Sequence, residues 1–154
     1  MGEAEVVSIF LTSVAGEPME SVREACALEG KGLKGDRYAE RAGTWPDHAG
    51  GGRQLTFFEH ETLEALKREA GLEIAAAACR RNIITQGISL NDLVGREFRV
   101  GNALIRGVRL CDPCSHLESK TAKGVEDALA GRGGLRADIL EGGTIRVGDI
   151  LEEK

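Results

Sequence analysis

Glycine sets the limits on this fold. Twenty-one of the 154 residues are glycine, about 14% and roughly twice the usual share. Only three residues are proline, and no low-complexity run gathers the glycines together. They punctuate the chain instead and leave short apolar runs between turns. That is the pattern of many short strands rather than of long helices.

Reading along the chain, Glu5 to Thr12 (EVVSIFLT) predicts a strand, and Glu20 to Leu28 a second, less regular one. A Gly-rich, charged stretch from Glu29 to Gly52 follows, long enough in a compact domain to be functional or mobile. Arg53 to Phe58 is β-prone. Glu59 to Ala70 has Leu63 and Leu66 at helical spacing and Gly71 as a stop, so it predicts a helix. Cys79 to Thr85 predicts another strand, and Ser89 to Leu93 a single helical turn.

A short repeat follows. Phe98-Arg-Val-Gly-Asn-Ala-Leu104 aligns with Ile145-Arg-Val-Gly-Asp-Ile-Leu151. Gly followed by Asn or Asp between β-prone halves predicts a tight hairpin at each. Ser115 to Leu129 predicts helical turns, and Leu135 to Leu140 a strand. Hairpins, further strands and few helices predict a mainly β fold. We expect a closed or partly closed β-barrel with a few short helices, since closure hides strand edges; a β-sandwich is the alternative. The length suits one domain, and no linker divides residues 1–154.

Composition narrows the function classes. Hydrophobic residues are 42% and charged residues 29%, ordinary for a soluble domain. The net charge of −5 argues against a nucleic-acid partner, which calls for a basic face. No run reaches the ~18 apolar residues of a membrane span, and the first residues lack the pattern of a signal peptide. A cytoplasmic location, with reduced thiols, is therefore expected. Four cysteines in a chain this long, Cys26, Cys79, Cys111 and Cys114, do not make a disulfide framework.

The densest chemistry lies in Cys111-Asp-Pro-Cys114, followed at once by Ser115 and His116. Such a pair serves as a soft metal ligand, a sulfur carrier or a redox couple. Asp112 suits an N-cap and Pro113 the first helical position, which puts Cys114 in a first turn. The positive end of a helix dipole there favours thiolate, the form that ligates metal or accepts sulfur. Cys111 reads as a small packing residue. One CxxC plus one histidine falls short of a closed zinc site, and the surroundings are not those of a thioredoxin-type dithiol.

Basic, Gly-rich segments form a second constellation. They are Gly30-Lys-Gly-Leu-Lys-Gly-Asp-Arg37, Arg53, Arg80-Arg-Asn82 and the Gly131-Arg-Gly-Gly134 run. Arginine at a Gly-rich turn suits phosphate, because the fork donates two bonds and the missing side chains let an anion approach. Each segment alone is an ordinary solvated turn. Four of them in an acidic domain beside a reactive thiol suit an anionic, phosphate-bearing ligand whose other end meets sulfur. His48 could cover a pocket, His60 reads as structural, and His116 could tune Cys114.

In order and spacing these segments resemble the MOSC domain, named for the C-terminal domain of molybdenum cofactor sulfurases. The matching residues are Gly32-Leu-Lys-Gly-Asp-Arg37, Arg53-Gln-Leu-Thr56, Arg80-Arg-Asn-Ile-Ile-Thr85, Leu93-Val-Gly95 with Phe98-Arg-Val-Gly101, Cys111-Asp-Pro-Cys114, and Gly143-Thr-Ile-Arg-Val-Gly-Asp149. The resemblance implies a β-barrel that binds the molybdenum cofactor, a pterin with a phosphate tail. It implies Cys114 as metal ligand or sulfur carrier, and Lys34, Asp36, Arg37, Arg53, Arg81, Asn82 and Arg132 as cofactor-binding candidates. Many members have His after Gly-Asp-Arg where this chain has Tyr38.

The resemblance further implies cofactor sulfuration or maturation, or reduction of N-hydroxylated compounds. A non-catalytic cofactor or sulfur carrier is the alternative, and a zinc or thiol-redox domain a further one. A pyridoxal-phosphate desulfurase domain is not expected within this length. Partners implied are a cysteine desulfurase, a redox partner or a molybdoenzyme.

Overall fold

The computed structural model describes residues 4–11, 19–36, 54–71, 81–110 and 134–153. In chain order these form strands β1 (Glu5–Leu11), β2 (Glu20–Val22), β3 (Glu24–Leu28), β4 (Gly32–Leu33) and β5 (Leu55–Glu59). Helix α1 (His60–Ala70), β6 (Ile83–Gln86) and a 3-10 turn (Leu90–Leu93) follow. Strands β7 (Glu97–Val100), β8 (Ala103–Leu110), β9 (Leu135–Glu141), β10 (Gly143–Arg146) and β11 (Leu151–Glu153) complete them. The mainly β expectation holds.

Eight strands make one sheet in the order β11-β7-β8-β9-β5-β6-β1-β2, and β10-β3-β4 make a smaller one. The two ends of the large sheet approach each other. Val6 N–H donates to Asp149 O (2.8 Å), Gly148 N–H to Val6 O (2.8 Å) and Leu151 N–H to Ala4 O (3.0 Å). An antiparallel bridge joins Glu5 to Ile150. The result is a partly closed barrel.

Alternation explains which residues fill it. Val6, Ile9, Leu55, Phe57, Ile83, Phe98, Ile105, Leu135 and Ile139 come from the large sheet into one buried cluster. Ala25, Ala27, Leu33 and Ile145 of the small sheet join the same cluster. Each large apolar side chain so buried contributes about 1.5–3 kcal/mol. Phe57 and Phe98 meet edge to face, with ring centres 5.6 Å apart, a favoured aromatic geometry. Helix α1 packs against β5 and β6, with Leu66 buried on its inner side. It ends where Gly71, at φ 69°, donates its N–H to the last-turn carbonyls, including Lys67 O at 3.2 Å.

Three differences from the sequence reading have physical causes. Glu20 to Leu28 is two strands, not one. Arg23 O accepts from Val147 N–H (2.9 Å), and the break sends β2 to β1 but β3 to β10. The first Gly-Asn turn is a hairpin, with Val100 opposite Ala103 and Gly101 at φ 59°. The second, Gly-Asp turn is not one. It closes with Asp149 N–H donating to Arg146 O (3.0 Å), yet β10 pairs with β3 and β11 with β7. Finally, β5 and β6 are parallel neighbours flanking α1 in sequence, a strand–helix–strand crossover that sequence reading missed. The expected helical turns of 115–129 lie outside the described residues. None of the described helices is long and apolar enough to cross a membrane.

Candidate functional site

Five strands line up at the region where the chemistry-bearing segments attach. Leu110 of β8 is opposite Leu135 of β9. Leu135 is opposite Phe57 of β5, Phe57 beside Ile83 of β6, and Ile83 opposite Ile9 of β1. Leu110 directly precedes Cys111, Leu135 follows the GRGG run, and Ile83 follows Arg81-Asn82. The residue before the thiol pair and the residue after GRGG therefore share one paired position.

Gly134 makes the closest approach in this row. A Cβ there would stand 2.2 Å from Phe57 O and 3.5 Å from Arg81 Nε, and its φ is +106°. The missing side chain is what lets β9 enter against β5. The same gap brings the Arg81 guanidinium beside the last glycine of GRGG. Two of the basic segments singled out in the sequence thus meet in the fold. A guanidinium beside a bare, positive-φ backbone is a fitting cradle for an oxyanion.

Asn82 does something the sequence did not reveal. Its Oδ1 accepts from Thr56 N–H (3.1 Å) and from Thr56 Oγ1 (3.1 Å). Its Nδ2 donates to Phe10 O (3.2 Å), and its own N–H donates to Thr56 Oγ1 (2.9 Å). Phe10 N–H returns a bond to Asn82 O (2.7 Å). Asn82 and Thr56 are buried. This network ties β1, β5 and the entry to β6 together at the residue after Arg81. No spacing rule distinguishes such a cross-link from a ligand-facing amide.

Lys34 and Asp36 lie on the small sheet, just past β4. Lys34 is exposed and its N–H donates to Cys26 O (2.8 Å). Asp36 is fully buried, with its N–H donating to Leu33 O (2.9 Å). The preceding turn is tied to the barrel by Gly30 N–H donating to Ile139 O (3.1 Å). Arg37, Arg53, Cys111, Cys114, Arg132, His48 and His116 lie outside the described residues. Among those described, Cys26 is a free thiol, and no cluster of three acidic, His or Cys side chains could hold a metal.

The far end of β5 is acidic. Glu59 accepts from Leu90 N–H (3.1 Å), and Glu61 accepts from Gly87 N–H (2.7 Å). Burial raises the Glu59 carboxyl above its ordinary 4.5; the Glu61 and Asp92 charges add to the rise, and the Leu90 bond opposes it. The folded protein therefore takes up this proton at a pH where the unfolded chain does not. Ionised Glu59 lowers stability at neutral pH, and stability recovers as pH falls through the raised value toward 4.5. Glu59→Gln keeps an acceptor for Leu90 and cannot ionise. It is expected to exceed the wild type in stability at neutral pH, with the gap closing on acidification. Urea midpoints across that range check this, and parallel profiles would contradict it.

The sequence matches the family model described as the MOSC domain over residues 46–152. No curated protein matches it in sequence. Among solved structures, the YuaD protein of Bacillus subtilis superposes with a TM-score of 0.80 at 16% identity, covering 99% of this chain and 96% of that one. YiiM of Geobacillus stearothermophilus gives 0.74 at 19% identity, covering 98% and 75%. YiiM of Escherichia coli gives 0.68 at 23% identity, covering 97% and 69%. At these identities the likeness is one of fold.

Proposed function

Because the chain belongs to the MOSC domain family, we propose that it binds the molybdenum cofactor, as a single domain over residues 1–154, with Cys114 as ligand to the metal or carrier of its sulfur. The observation that carries the reading is the Arg81 guanidinium beside Gly134. It is a cradle of the right chemistry for a phosphate-tailed pterin, next to the strand ends between which Cys114 lies in the sequence. When bound, the cofactor supplies a metal whose sulfur and oxygen ligands can exchange with electron transfer.

The chain's own residues then divide into roles. Arg81 and Arg132 hold the phosphate, and Arg37, Arg53 and Lys34 add positive charge around the pterin. Asn82 and Asp36 position them from buried sites, Asn82 by fixing the backbone next to Arg81. Cys114 acts as thiolate, so binding weakens as acid protonates it. The reaction is cofactor sulfuration, with a separate cysteine desulfurase as sulfur source and a molybdoenzyme as recipient, or reduction of an N-hydroxylated compound with a separate redox partner. A reducing, cytoplasmic setting suits a free thiolate.

Loading with the cofactor, desalting and counting molybdenum per chain tests the reading. Wild type is expected to retain metal. Cys114→Ser is expected to retain at least ~10-fold less, since even supporting residues around a metal cost that much. Equal retention would sink the ligand role. Stoichiometric zinc in the protein as isolated, lost in Cys111→Ser, would replace the whole reading with a zinc domain.

A further inference from the structure

Four of the described arginines on this barrel pair with acids. Arg106 pairs with Asp138 (3.6 Å), Arg99 with Glu141 (3.9 Å), Arg96 with Glu153 (3.5 Å) and Arg146 with Glu24 (2.9 Å). Arg109 of β8 instead stands directly opposite Arg136 of β9. Neither has an ion-pair partner among the described residues. Arg109 is exposed and Arg136 half-buried. Like charges directly opposite across an antiparallel pair are destabilising.

A bulge creates this arrangement. The ladder runs from Gly107 opposite Ala137 to Arg109 opposite Arg136, with the register shift between them. A regular ladder would have placed Val108 opposite Arg136. The extra residue therefore brings a second guanidinium to Arg136, where an apolar residue would have been the stable choice. Bulges commonly re-aim a side chain beside a functional site. One step further along the same pair, Leu110 and Leu135 bound the segment that contains the thiols.

We propose that Arg109 and Arg136 together form an oxyanion site that takes a phosphate monoester group. Two facing guanidiniums can each donate paired N–H bonds to one phosphate, which turns their mutual repulsion into shared attraction. The ligand is a single anionic group and not a polyanion, because Arg106, the nearest arginine on β8, is already paired with Asp138. The site does not depend on the cofactor reading. The phosphate is either the tail of that cofactor or belongs to a separate ligand, and the chemistry at the arginines is the same.

Inorganic phosphate is the probe, with thermal melts and 31P NMR titrations at low ionic strength. Phosphate is expected to raise the melting temperature of the wild type. In R109Q and R136Q its affinity is expected to fall at least about tenfold, the effect of removing a charged hydrogen-bonding partner. R99Q, which removes an arginine already paired with Glu141, is expected to respond as wild type. Without phosphate, R136Q is expected to melt no lower than wild type, because repulsion is relieved; a purely structural arginine would give the opposite sign. No response in wild type, or the same response in R109Q and R136Q, would overturn the site. Molybdenum cofactor retention then assigns the source. Loss in R136Q identifies the cofactor tail, and unchanged retention identifies a separate phosphate-bearing ligand; either supports the site.

Discussion

Asn82→Ala is expected to destabilise the protein by about 3–5 kcal/mol, a large share of the 5–15 kcal/mol that holds a domain of this kind folded. The amide accepts two bonds from Thr56 and donates one to Phe10. Truncation leaves the buried Thr56 amide and hydroxyl without their acceptor and the Phe10 carbonyl without this donor, and each buried orphan costs about 1–3 kcal/mol. Asn82→Asp keeps an acceptor for Thr56 but removes the donor to Phe10 and buries a charge, so it is expected to be damaging as well. Thr56→Val removes the hydroxyl that accepts from Asn82 N–H. Its cost and that of Asn82→Ala are expected to be strongly non-additive, since the two share one network. Urea denaturation measures all of these. A loss below about 1 kcal/mol for Asn82→Ala would mean that the network does not hold the three strands. The distinction bears on function, because it assigns any cofactor loss in this variant to a displaced Arg81.

Gly134→Ala is expected to cost about 2–4 kcal/mol, because strain and overpacking act together. The added Cβ would stand 2.2 Å from Phe57 O, and the residue would have to keep φ +106°. Backbone cannot give way as a flexible side-chain tip can, so β9 must shift from β5. The shift would also move the chain away from Arg81 Nε, now 3.5 Å from that position. Gly95→Ala is the control. It has a positive φ of +79° but open space around the missing Cβ, so only the conformational cost of about 1 kcal/mol is expected. Equal losses in the two variants would show that close approach at Gly134 contributes nothing.

These residues show how far the sequence could be read. Alternation and Gly-Asn chemistry made β1, β5 and the β7–β8 hairpin legible, and Gly71 marked the end of α1, because those signals are local. The Gly-Asp turn at 148–149 carried the same local signal and misled. Its flanking strands find partners more than fifty residues away in sequence, on β3 and β7, and no turn rule encodes that choice. The parallel β5–β6 pair was hidden for the same reason. Within the site, the basic Gly-rich segments are local in sequence, and only the fold shows Arg81 beside Gly134, the last glycine of GRGG. Asn82 was recognised as a residue of interest, but its type fits a ligand contact and a strand cross-link equally. Arg109 and Arg136 went unremarked because a bulge, invisible in the sequence, sets their register.

Cys114 carries the chemical part of the account. The molybdenum K-edge absorption spectrum of cofactor-loaded protein reads its role directly, because it counts sulfur neighbours of the metal. Wild type is expected to show a thiolate sulfur that is missing from Cys114→Ser and still present in Cys111→Ser. Identical spectra for wild type and Cys114→Ser would contradict Cys114 as the metal ligand.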